Sequence, residues 1–127
     1  PNPHVGAGKA MLAEAFLTGI LVWVVNAAWD RRCQDKHDSL PVKFGLAVTA
    51  LALPGAKYSG ASLNPARSLG PALLAGNFTD LWVYWIGPLG GSILASAIYK
   101  TFLSEVSPPQ AAPLRNRLNE AEEEHPL

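Results

Sequence analysis

One stretch constrains this chain more than any other: Ser59-Gly60-Ala61-Ser62-Leu63-Asn64-Pro65-Ala66-Arg67-Ser68-Leu69-Gly70-Pro71-Ala72. It sets an arginine, an asparagine and two prolines between long apolar runs. Its local grammar is clear. Asn64 is a good N-cap, and Pro65 then takes the first helical position, where its missing N–H costs nothing. The pattern predicts a short helix from Asn64 to about Leu74, too short to cross a bilayer, which takes about 20 residues. A short, polar-capped helix among membrane spans reads as a re-entrant segment. Such backbone is tolerated at membrane depth only where it is buried in protein or lines a watery cavity. The stretch therefore points to a pore.

The flanking runs are read as spans. The first covers 10–29, with Trp23 and Trp29 in its second half, Trp29 suiting an interfacial belt. Glu14 is its anomaly, because a carboxylate inside a span is costly and usually turns inward to a partner. Two readings stand: Glu14 accepts hydrogen bonds from backbone N–H groups of the loop before Asn64, or it snorkels to the headgroups from the end of the span. A second span over 40–56 has Pro41 near its start and is broken by Pro54 and Gly55. Helical spacing puts Phe44, Val48 and Ala52 on one of its faces. The third, over 81–103, opens with Trp82, Tyr84 and Trp85 as an aromatic belt, with Asp80 as its cap. Gly87, Gly90 and Gly91 give it a small-residue face, and Gly87 with Gly91 makes a GxxxG.

Composition supplies the exclusions. The 127 residues carry a formal net charge of zero, so no nucleic-acid partner is suggested. Cys33 is the single cysteine; no internal disulfide is possible, and the thiol is either idle or reactive. His4, His37 and His125 lie at the termini or in a loop, and no catalytic pairing appears. An enzyme is not expected, nor a cofactor or a metal. Asn77-Phe78-Thr79 fits a glycosylation acceptor, in a loop expected to lie tight against the membrane. The start at Pro1, without methionine or a signal-peptide pattern, suggests a fragment or processed product; residues 1–9 read as the end of an extracellular loop. Residues 104–127, with four prolines and the acidic cluster Glu120 to Glu124, read as a disordered tail. Arg31, Arg32, Lys36, Lys43, Lys100, Arg115 and Arg117 fall on one side of three spans, which the positive-inside rule makes cytoplasmic.

The string Ser59-Gly60-x-Ser62-x-Asn64-Pro65-Ala66-Arg67-Ser68-x-Gly70-Pro71-Ala72, with Glu14 before it and Tyr84-Trp85-x-Gly87-Pro88 after it, closely resembles the second half of an aquaporin. The resemblance covers Ala10 to about Leu103. It implies an all-α membrane protein: one aquaporin-type repeat of three transmembrane helices plus a re-entrant half-helix, in a family built of two inverted repeats and assembling as tetramers. It implies a passive channel for water and small uncharged solutes, excluding protons and ions, in the plasma membrane. Asn64, Pro65 and Ala66 match the family's Asn-Pro-Ala motif. Asn64 would donate its amide N–H to a passing oxygen beside the positive end of the half-helix. Arg67 would stand in the outer constriction, with pairing to Glu14 as its structural alternative. Gly60, Ser62 and Leu63 would line the pore through an extended row of carbonyls, beside Phe44 and Val48.

Two positions depart from water-selective members. Ala52 stands where they carry a histidine, twelve positions before Asn64, and Ala61 is the filter position three before it. Two small apolar residues should widen the filter toward glycerol or urea. Ser68, Ala72, Tyr84 and Trp85 nevertheless match the water-channel branch, and the combination resembles the insect glycerol-transporting group within it. A water-only pore and a non-conducting junction or adhesion protein are the alternatives; membrane lipid is the partner expected in every case.

Overall fold

The computed structural model describes residues 4–30, 32–33 and 38–104. The expected tail at 104–127 lies outside them beyond Ser104, as do Arg31 and Lys36 of the charged loop. The described residues form four α-helices: α1 Ala7–Ala28, α2 Leu40–Gly55, α3 Pro65–Ala75 and α4 Val83–Ile98, the last running on into a π-helical turn, Tyr99–Leu103. They contain no strand, so the chain is all-α, in keeping with part of an aquaporin fold.

Local chemistry explains each boundary. α1 is rich in alanine and leucine and free of proline; it follows Gly6, whose φ of 78° no ordinary side chain favours. At 22 residues it is the one helix among the described residues long and apolar enough to cross a membrane unaided. Pro41 lies in the first turn of α2, where its missing N–H costs nothing, and Pro54 lies inside the last turn, where it removes a backbone donor one residue before the helix ends. α3 ends on Gly76 in the left-handed conformation, φ 62°, whose N–H returns to Leu73 O. The Asp80 side chain caps nothing: Trp82 precedes α4 without a side-chain cap, and Val83 N–H instead donates to the Asp80 carbonyl at 3.1 Å. Asp80 adopts φ 55° in that turn, which places its backbone rather than its carboxylate at the helix start.

α1 and α4 are the principal packed pair; α2 lies against α1, and α3 touches α4. Small residues make the approach of α1 and α4 possible. A methyl at Gly91 would collide with the backbone carbonyl of Ala15, and one at Gly87 would stand 2.8 Å from Met11 O. Such close backbone approach is how helices associate where lipid removes the hydrophobic driving force. Gly90, expected on the same face, has open space around its Cα because its helical position turns it away from α1. Trp23 spans the seam and donates Nε1–H to Ala95 O at 2.8 Å.

The interior is small and unusually polar. Ala10, Leu17, Ala61, Val83 and Ala95 are buried, and so are Glu14, Thr18, Ser59 and Ser62. Large apolar side chains such as Phe16, Leu53, Leu74 and Ile93 point outward, the arrangement of a bundle surrounded by lipid or by further helices.

A polar clasp ties the end of α1 to the π-helical turn. Asp30 accepts from Arg32 N–H and Nε at 3.0 and 2.9 Å, from Arg32 Nη2 at 2.9 Å and from the Tyr99 hydroxyl at 2.9 Å. Arg32 Nη2 also donates to Leu103 O at 2.8 Å. The hydrogen bonds from the Arg32 side chain, then from its backbone and from Tyr99, hold the Asp30 carboxyl well below the usual carboxylate range.

Two outcomes follow. Gly91→Ala should force α1 and α4 apart and cost about 1–3 kcal/mol, as overpacking does, whereas Gly90→Ala should stabilise by about 0.5–1 kcal/mol, as alanine does at an open helix position; thermal unfolding in detergent compares them. For Asp30 the folded value is depressed, so its contribution is complete above the unfolded carboxylate value of about 3.9 and lost as pH falls through and below it. The stability gap between wild type and Asp30→Asn should therefore be flat near neutral pH and narrow below about pH 4.

Candidate pore loop and half-helix

The chain leaves α2 in overlapping turns: Ser59 N–H donates to Gly55 O and Gly60 N–H to Ala56 O, at 3.1 and 3.0 Å. It then enters a segment in which three of the four residues from Gly60 to Leu63 have positive φ rather than extended backbone. φ is 89° at Gly60, 49° at Ala61 and 58° at Leu63. For the two non-glycine residues that conformation costs on the order of 1–2 kcal/mol each, so something must hold it.

The holder is Glu14. Its side chain is fully buried, and its two oxygens accept one backbone N–H each: Ser62 N–H on Oε1 at 2.8 Å and Leu63 N–H on Oε2 at 2.7 Å. These are charge-assisted bonds at the short end of the N–H···O range. Glu14 does not snorkel. Nor does it pair with Arg67, which has no carboxylate partner among the described residues. A second clamp comes from α4, where the Tyr84 hydroxyl donates to Ser59 O at 2.6 Å. A third is local, Ser59 Oγ accepting Ala61 N–H at 3.2 Å.

Asn64 has φ −153° and ψ 118° and caps α3. Its Oδ1 accepts Ala66 N–H at 2.9 Å and Arg67 N–H at 3.4 Å. Backbone N–H groups can only donate, so these two bonds assign the amide: the oxygen faces the helix and Nδ2 faces away, exposed. Pro65 is half-buried and Ala66 and Arg67 exposed. Arg67 shares the wall of a cavity of about 400 Å³ with Ser59, Gly60, Ser62 and Tyr84. Among the described residues no hydrogen bond reaches the carbonyls of Gly60, Ala61, Ser62 and Leu63. An N–H donor, a guanidinium, the positive end of a helix dipole and a run of free acceptors therefore lie within eight residues of one another.

The structure separates other expected site residues from an open face. Ala61 is 1% exposed, and a Cβ added at Gly55 would sit 3.1 Å from its methyl. Its methyl is packed into the protein rather than onto an open face. Ser62 is 8% exposed; its hydroxyl lies 2.9 Å from Asn64 O and 2.6 Å from Ser68 Oγ, so only its carbonyl is free to line a pore. On α2, Phe44 is exposed and Val48 and Ala52 are half-buried. Cys33 is a half-buried free thiol. Asn77 Oδ1 accepts Thr79 N–H at 3.0 Å in a tight local turn.

The inward role of Ser59, Ser62 and Ser68 was not read from the sequence. Ser59-Gly60 carries a recognisable turn signal, but nothing in a one-dimensional string links Tyr84 to a carbonyl 25 residues earlier.

Comparison with known proteins covers most of the chain. Residues 1–99 match the family described as Major intrinsic protein. Aquaporin-2 of Rattus norvegicus is 44% identical over 112 residues, 88% of this chain and 40% of that protein. Aquaporin-4 of Mus musculus is 39% identical over 119 residues, 93% of this chain and 35% of that protein. The lens fiber major intrinsic protein of Oryctolagus cuniculus is 42% identical over 102 residues, 80% of this chain and 39% of that protein. The chain thus spans about two fifths of the length of such relatives.

Glu14→Gln should test the clamp. The amide keeps one acceptor and turns an NH₂ donor toward a buried N–H, a loss of about 1–3 kcal/mol. Glu14→Ala should be worse, with two buried donors left bare. Unfolding in detergent should rank wild type above Gln above Ala; a Gln variant as stable as wild type contradicts the assignment.

Proposed function

We propose that this chain, which belongs to the major intrinsic protein family, is the second repeat of a passive channel for water and small uncharged solutes that excludes protons and ions. Family membership makes it an integral membrane protein, and the family's aquaporins are channels rather than enzymes. The observation that carries the reading is the Asn64 amide: its oxygen is consumed by Ala66 and Arg67 N–H, which leaves Nδ2 as an exposed donor at the start of α3. A water whose oxygen is held by that donor cannot readily relay a proton, and the helix dipole with Arg67 repels hydronium and other cations. The free carbonyls from Gly60 to Leu63 supply acceptors for the same single file. Such a pore needs a second wall, which a first repeat supplies in the full-length protein. The reading extends to a homotetramer in the plasma membrane, with the Arg31 loop and the tail cytoplasmic.

The finer reading is passage of glycerol or urea, as in the insect glycerol-transporting group. With the Ala61 methyl buried, it rests on Ala52 and on the first repeat. An alanine at 52 leaves space a histidine would fill and withdraws one polar partner from water, so a three-carbon polyol gains room and an apolar wall. The buried Ala61 is also the observation that favours the second reading, a water-only pore.

The test is swelling of liposomes containing the full-length channel under water, glycerol and urea gradients. Wild type should pass all three. Ala52→His should abolish the larger solutes and spare much of the water flux. A wild type that passes water alone decides for the water-only pore.

A further inference from the structure

The hydroxyls of Ser62 and Ser68 meet at 2.6 Å, and either could donate. The surroundings decide which. Ser62 Oγ also lies 2.9 Å from the Asn64 carbonyl, and a carbonyl can only accept. A serine hydroxyl has one proton, so Ser62 spends it on Asn64 O. Ser68 must then supply the proton between the two hydroxyls. Ser68 N–H donates to that carbonyl as well, at 3.3 Å. The backbone N–H of Ser62 is held by Glu14.

From this we infer that Ser62 is a positioning residue for Asn64, the node of a directed relay Ser68 Oγ–H to Ser62 Oγ–H to Asn64 O. Its backbone belongs to the α1 clamp and its side chain to the first turn of α3, so it joins the two. Both oxygens of Asn64 are then committed as acceptors, the carbonyl to Ser62 and Ser68 and Oδ1 to Ala66 and Arg67. The residue offers the pore nothing but Nδ2–H, and its backbone cannot rotate to offer anything else. The hydroxyl of Ser62 is therefore not a pore ligand, although it lies two residues from one. The relay's bearing on permeation rests on the channel reading above; its existence does not.

Direction makes the proposal testable. Removing the Ser62 hydroxyl breaks both bonds and strands the Ser68 proton. Removing the Ser68 hydroxyl leaves Ser62 donating to Asn64 as before. The experiment compares full-length wild type, Ser62→Ala, Ser68→Ala and the double variant in lipid nanodiscs by amide hydrogen exchange of the 60–68 segment. Osmotic water flux is measured on the same proteins in liposomes. Ser62→Ala should speed exchange by about fivefold for each of the two hydrogen bonds it loses, and lower water flux. Ser68→Ala should do distinctly less, and the double variant should equal Ser62→Ala, because the two hydroxyls act in series. The relay is overturned if Ser68→Ala matches or exceeds Ser62→Ala, if the two add, or if Ser62→Ala leaves exchange unchanged. Changed exchange with unchanged water flux removes the positioning role. A wild type that carries no water defeats the channel reading and with it the bearing on permeation, while exchange still decides the relay.

Discussion

The loop before Asn64 depends on one carboxylate. Among the described residues Glu14 is the largest fully buried side chain, and it meets no cation there. Backbone donors compensate it instead: each oxygen takes one N–H of a segment that would otherwise prefer another conformation. Two non-glycine residues, Ala61 and Leu63, lie at positive φ, and strain of this kind persists only where the surroundings over-determine the backbone. Glu14 from α1, Tyr84 from α4 and Ser68 from α3, through its bond to Ser62, do so from three directions. The result is a backbone whose donors are used up inside and whose acceptors are left outside.

That division of labour explains why the interior is polar. A bundle in lipid has little to gain from burying leucine, since the surroundings are as apolar as the core. It gains from close backbone approach and from hydrogen bonds water cannot contest. Gly87 and Gly91 let α4 lie on the backbone of α1, and that contact brings Tyr84 to Ser59 while Glu14 reaches Ser62 and Leu63. The glycines are thus as much part of the site as the residues that face it. At the opposite end the Asp30–Arg32–Tyr99 clasp joins the same two helices, so α1 and α4 are fastened both at the loop and where the chain leaves the bundle.

Much of this was legible in the residue order, and for local reasons. Asn64 followed by Pro65 is a helix start whatever surrounds it, because the cap and the proline act within one turn. Glu14 in an apolar run left two readings, a loop partner or the headgroups, because a bare carboxylate is too costly to leave in hydrocarbon; its bonds to Ser62 and Leu63 decide for the loop. The small residues at 87 and 91 announced a close contact, and the extended string from Ser59 to Ala72 carried the family resemblance.

What the tertiary structure alone decided is orientation. Gly90 belongs to the same glycine cluster as Gly91 but faces away from α1, since one residue turns a helix by about 100°. Ala61 and Ser62 sit in the loop expected to line the pore, yet the Ala61 methyl is buried at a positive φ and the Ser62 hydroxyl turns to Asn64 O and Ser68 Oγ. Asp80 reads as a cap, but the turn presents its carbonyl instead. Which groups are present and where helices begin could be read along the chain, because both depend on neighbours a few positions apart. Which side each group shows depends on φ and on contacts between residues 25 to 49 positions apart, and those exist only once the helices have packed.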